Sequence, residues 1–265
     1  MDWQPGIRLR MLAVDPPVLG VLGSQPVCRE PIGVPSRSCP FRVARLAGNW
    51  HRVPGVKSSR GIYEIVAVVA TALLHPVFAD VLHQRAAFIG LALGGWTVYL
   101  GVWVGRERGT LKQMGLRREG VAPAFLAASL VAAAALVTMG VIAQARQALV
   151  FRWQMLLLLG LYPVWAMMQQ LLVQGVFVRT VVAMGTGVWP KLVATVLAAF
   201  LFGAVHLPDM RLAAATCLLG AVFTLIYLRW RNLWPLGLYH GWLGVFFYYW
   251  VLGRDPWGEL FNTTR

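Results

Sequence analysis

The chain has 265 residues, of which 58% are hydrophobic and 13% charged, with a mean hydropathy of +0.63. Soluble domains run at about 45–50% apolar and about 25% charged, so this balance excludes the ordinary soluble classes and indicates a membrane protein. The net charge of +14 would suggest nucleic acid in a soluble protein, but here most basic residues lie between apolar runs. Membrane topology accounts for them, and no nucleic-acid partner is expected.

Residues 1–60 stand apart. They hold many prolines and nine Lys+Arg, with no helical periodicity. They read as a disordered or loosely attached basic leader, or as sequence upstream of a later start. No compact apolar run follows a short basic start, so a signal peptide fits poorly. The three cysteines, Cys28, Cys39 and Cys217, form no ligand cluster by spacing,.

After Arg60 come apolar segments near the length that crosses a bilayer, about twenty residues. They are Ile62–Leu82, Ala86–Val104, Val121–Ala143, Trp153–Met184, Lys191–Leu207, Leu212–Tyr227 and Leu233–Leu252. The expected fold is therefore all-α, a polytopic transmembrane helix bundle of about seven spans. Trp153–Met184 is long for a hydrocarbon core of about 30 Å, and Pro163 offers a place to kink. The chain divides into the leader 1–60, two helices with a basic linker over 61–120, a core over 121–252 and a short tail over 253–265.

The basic residues set the orientation. With the N-terminus cytoplasmic, that side holds Arg106, Arg108, Lys112, Arg117, Arg118, Arg179, Lys191, Arg229 and Arg231, besides the nine of the leader. The opposite side holds Arg85, Arg146, Arg152, Arg211, Arg254 and Arg265. Nine against six, leader excluded, favours an N-terminus inside and a C-terminus outside. An integral protein of a bacterial inner membrane, with the lipid bilayer as its first partner, is the expected setting.

The last four spans carry few polar side chains: Gln169, Gln170, Gln174, His206 and His240, with Tyr239, Thr180 and Thr195 as weaker candidates. Such groups are costly in hydrocarbon and face a bundle interior or a wet cavity. Gln170 and Gln174, four apart, share one face of an α-helix. A plain structural reading exists for each, since a glutamine can bond a neighbouring helix for about 0.6–2 kcal/mol. Five such residues on three helices of the same half of the chain argue for a site.

Three motifs run through this region: QQLLVQG at 169–175, FGAVH at 202–206 and HGWLG at 240–244. In order and spacing they resemble the CPBP family of glutamic-type intramembrane proteases. That family includes type II CAAX prenyl endopeptidases and bacteriocin-processing and abortive-infection-like relatives. Its pattern is EExxxR, then FxxxH, then HxxxN or HxxxD. The stretch LLGAVFTLIYLRWRNLWPLGLYH (218–240) and the basic LKQMGLRR (111–118) are also similar to family sequence. The resemblance covers about residues 105–250.

It implies that Gln169, Gln170, Gln174, Phe202, His206, His240 and Gly244 occupy the catalytic motif positions. It implies peptide-bond hydrolysis in the membrane, with a membrane-embedded or lipidated peptide as substrate, and no cofactor. This sequence departs from the pattern at both glutamates, at the arginine and at the Asn/Asp position. A Gln amide can position a water but cannot take its proton, and general-base assistance is worth about 10²–10⁴-fold. The expectation is a weakened or inactive relative, a pseudoenzyme in the limit. The alternatives are a non-catalytic homologue that binds or escorts a membrane protein, and a small transporter-like bundle. Residues 120–208 contain no Asp or Glu. Replacement carboxylates would have to come from Asp209, Glu64 or Asp80 by tertiary contact. Two histidines without a third ligand do not make a metal site.

Overall fold

A computed structural model describes residues 58–260 of the chain, all within the compact unit Arg45–Arg265. The expected basic leader lies outside the described residues except for 58–60, which open the first helix. The order is α1 (Ser58–Pro76) with a π-helical segment Val77–Val81, α2 (Arg85–Arg106), α3 (Thr110–Met114) and α4 (Val121–Ala145). Then come α5 (Trp153–Gln170), a π segment Leu171–Val178, α6 (Arg179–Ala183), α7 (Trp189–Ala204) and α8 (Met210–Trp230). The bundle ends with α9 (Trp234–Phe246), a π segment Phe247–Leu252 and α10 (Pro256–Leu260). No strand occurs among the described residues, so the all-α bundle holds.

Among the described residues, five helical stretches are long and apolar enough to cross a membrane: Arg60–Val81, Arg85–Arg106, Val121–Ala145, Trp153–Ala183 and Met210–Trp230. Two of the seven expected spans are not among them. α7 has only 16 residues, and α9 is diluted by Gly, Tyr and His. The long fourth stretch runs through Pro163 without a break, as α5, the π segment and α6.

The packing is that of a bundle in lipid. In α4, Ala124, Ala128 and Ala132 recur every four residues and are buried, while Leu126, Leu130, Val137 and Val141 are exposed. Alanine favours helix and lets neighbours approach closely. The outward leucines and valines would each lose about 1.5–3 kcal/mol of burial if they faced water. Lipid removes that penalty.

Two interfaces position the site. α9 lies on α5 through glycines: a Cβ on Gly241 would meet the Pro163 backbone N at 2.6 Å, and one on Gly237 the Met167 Cα at 2.9 Å. α8 lies on α7 in the same way, where a Cβ on Gly220 would come within 2.9 Å of the Phe202 Cβ. Pro163 cannot bond the Leu159 carbonyl one turn back. The Trp242 indole N–H of α9 fills that gap, donating to the Leu159 oxygen at 3.1 Å.

The basic segments gather at two ends. At one, Arg117 donates to the Arg231 and Trp230 carbonyls, and Asn232 donates to those of Arg117 and Glu119. Gly120 makes the approach possible: its φ is +71, and a Cβ there would lie 2.9 Å from the Trp230 carbonyl oxygen. The linker after α2 and the turn after α8 thus share one face of the bundle. Arg179 also belongs to that end, but it is buried, with its guanidinium 5.2 Å from the Trp103 ring. At the other end Arg85 and Arg254 both bind Glu259 of α10, so the described part of the tail is a docked helix.

Candidate active site

The site begins where α5 gives way to the π segment at Leu171. Gln170 is fully buried, and its Nε2 lies 3.2 Å from His240 Nδ1 on α9. The glycine contacts of α9 on α5 bring these two side chains together. Gln174, also fully buried, reaches α8 and donates to Thr224 Oγ1 at 3.0 Å. The two glutamines thus turn to different neighbours, α9 and α8, and the backbone between them is π-helical rather than α-helical. The Oε1 atoms of both glutamines have no hydrogen-bond partner among the described residues.

His206 follows α7 in the turn to α8. Its Nδ1 lies 2.7 Å from the Phe202 carbonyl oxygen, one turn back. The same oxygen accepts from Thr216 Oγ1 on α8 at 3.1 Å. The Phe202 ring packs on the His240 ring with centroids 5.4 Å apart. The second and third motifs therefore meet through Phe202, and the first and third through Gln170.

A cavity of about 910 Å³ opens beside them. Gln169, His206, His240 and Gly244 line it, as do apolar side chains of α4 and α5 such as Val131, Met139, Leu158 and Trp165. Gln170 stands behind His240, and Gln174 is set against α8. A second void of about 70 Å³ lies between α1, α5 and α7, bounded by His75, Gln169 and Phe202 among others. His75 and Gln169 line both.

One end of the large cavity is charged. Asp80, Arg85, Asp209 and Arg254 line it. Arg254 holds Asp209 at 2.8 Å and grips Glu259 at 2.5 and 2.8 Å, while Arg85 holds Glu259 at 2.8 Å and Asp80 at 3.4 Å. The Glu259 carboxylate keeps the Arg254 pKa above its ordinary value. Asp209 is doubly committed, since its other oxygen accepts from the Arg211 and Leu212 amides and caps α8. Glu64 is elsewhere, bound to Arg60 at 2.8 Å and to the Tyr99 hydroxyl at 2.6 Å. Of the three candidate carboxylates, two reach the cavity wall and both are in ion pairs. Among the described residues, no group of three or more His, Cys, Asp or Glu converges as a metal-ligand set.

Sequence reasoning missed His75, Thr224 and Trp242. His75 carried the same signal as His206, a histidine in an otherwise apolar helix. Thr224 and Trp242 carried none, because their roles depend on which carbonyl or amide a neighbouring helix leaves unsatisfied.

Fold and site define an all-helical membrane protein with a histidine-lined internal cavity. Residues 151–246 match the family model described as Type II CAAX prenyl endopeptidase Rce1-like. That stretch carries all three motifs, and the match is consistent with membership of the CPBP family. Comparison with curated proteins and with solved structures gives no significant match.

Proposed function

We propose that this CPBP-family membrane protein receives a membrane-embedded or lipidated peptide in its cavity, and that hydrolysis by the family's glutamate route is weakened or absent. One observation carries this reading: the buried position against His240 holds Gln170, an amide that cannot accept a proton from water,. The apolar walls suit a lipid-bearing or transmembrane segment, and the imidazoles and Gln169 offer polar contacts to its backbone. Without the glutamate base, such a cavity chiefly binds or escorts its guest. The basic residues of the linker and the α8–α9 turn support a cytoplasmic N-terminus, and a bacterial inner membrane is the expected setting.

The test is a purified protein in proteoliposomes, given a fluorescent S-farnesylated peptide with a free C-terminus. Binding should saturate, and cleavage should be about 10²–10⁴-fold slower in the wild type than in a variant with Gln169→Glu and Gln170→Glu made functional by Gln174→Arg. A wild type that cleaves as fast as that variant, or that binds no peptide, refutes the reading.

A further inference from the structure

We propose that His75, from the first membrane helix, is a site residue, and that with His206 it forms an imidazole pair that holds and deprotonates water in the large cavity. The inference rests on the cavity being the peptide site, and it supplies the slow route that the glutamines leave open.

The hydrogen bonds determine where the lone pairs are. His75 Nδ1 lies 3.0 Å from the Val205 carbonyl oxygen, and His206 Nδ1 lies 2.7 Å from that of Phe202. A carbonyl oxygen only accepts, so in each ring Nδ1 carries the hydrogen. In the neutral imidazole Nε2 then holds a free lone pair. Both rings line the same cavity. They are also adjacent, because the carbonyl that anchors His75 belongs to Val205, the residue before His206.

Elimination points the same way. The carboxylates on the cavity wall are Asp80 and Asp209. Asp209 is occupied on both oxygens, by Arg254 and by two amides. Asp80 is paired with Arg85. His240 differs from the other two histidines, since its Nδ1 faces the Gln170 amide rather than a carbonyl. With the amide donating, His240 Nε2 carries a hydrogen and can donate to a developing oxyanion.

The chemistry balances. A water donates hydrogen bonds to the two Nε2 atoms. As its oxygen attacks the peptide carbonyl carbon, its proton passes to Nε2 of His206. The tetrahedral intermediate collapses, the C–N bond breaks, and the imidazolium returns the proton to the leaving amide nitrogen. One carboxyl and one amine product result, and the histidine is regenerated.

His75→Asn and His206→Asn separate this role from a structural one, because an asparagine Nδ2 can still donate to the anchoring carbonyl while the Nε2 lone pair is gone. In the proteoliposome assay with the S-farnesylated peptide, each Asn variant should cut turnover about 10²–10⁴-fold, a far larger loss than any in peptide binding, to which the rings also offer polar contacts. Gln170→Ala should retain measurable turnover. Independently of activity, ¹⁵N-histidine spectra of the wild type should show His75 and His206 as the Nδ1–H tautomer. The proposal is overturned if His75→Asn cleaves like the wild type while His75→Ala does not, which would leave His75 only a helix cap. Either ring found as the Nε2–H tautomer, or a wild type with no turnover, also overturns it. Peptide binding that persists in those cases leaves the cavity reading standing, whereas loss of binding in the wild type sinks both.

Discussion

Gln170 keeps the shape of a glutamate and none of its charge. A carboxylate restored there would be fully buried, and without a cation it would raise its own pKa and stay neutral. The motif arginine is Gln174 here, and Arg179 lies against Trp103 rather than near His240. Adding Gln174→Arg to Gln169→Glu and Gln170→Glu should therefore give faster peptide cleavage than the two glutamates alone. A double variant equal to the triple in a single-turnover assay would show that the arginine and the glutamates were not lost as a unit. A second residue-scale expectation concerns Trp242. In Trp242→Phe the Leu159 carbonyl, freed by Pro163, loses its donor. An unsatisfied buried acceptor costs about 1–3 kcal/mol, so the thermal midpoint in detergent should fall. In a Pro163→Ala background the residue-163 amide can take over, and the loss should shrink.

At the scale of elements, the site is made by helices that touch through glycine. The Gly237 and Gly241 face of α9 puts His240 within bonding distance of Gln170. Gly241→Val should force α9 away from Pro163, whose backbone cannot yield. Overpacking of this kind costs ~1–3 kcal/mol, and α5 and α9 should respond together. A cysteine pair introduced across α5 and α9 should crosslink more slowly in the Gly241→Val variant. Crosslinking at the wild-type rate would mean that the close approach is not needed. The π segment after Gln170 works at the same scale. It carries Gln174, which bonds Thr224 on α8 while Gln170 meets His240 on α9, so one motif helix serves two neighbours.

At the scale of the molecule, the charges sort to the two ends of the bundle. The linker 105–120 and the turn 229–232 are bonded to each other, and Arg85, Arg254 and Glu259 close the opposite end. Single cysteines at Gly109 and Arg229 should react with an impermeant maleimide only after the cytoplasmic face is exposed. One at Gly253 should react in intact cells. Labelling of Gly109 and Arg229 from opposite faces would contradict both the bundle and the expected topology. Glu259 links α10 to the arginines at the charged end of the cavity, so the described part of the tail is held in place by Arg85 of α2 and by Arg254 rather than by its own five residues.

Composition and apolar run length by themselves determined the membrane class, the all-α architecture and the approximate place of every long helix, because a chain in lipid must satisfy its backbone within each segment. The short α3 and α10 were not legible. The motif residues were legible for the same reason: a polar side chain stands out in a sequence written for hydrocarbon. Only the tertiary structure decided that Gln170 pairs with His240 while Gln174 goes to Thr224, since that depends on which helices, α9 and α8, pack beside each side chain. It likewise decided that Asp209 is a cap locked to Arg254, and that His75, 131 residues before His206 in the chain, stands on the same cavity wall. Pattern reports what a segment must bury. Which partner it buries that surface against depends on glycine contacts between helices far apart in sequence, and those exist only once the bundle has closed.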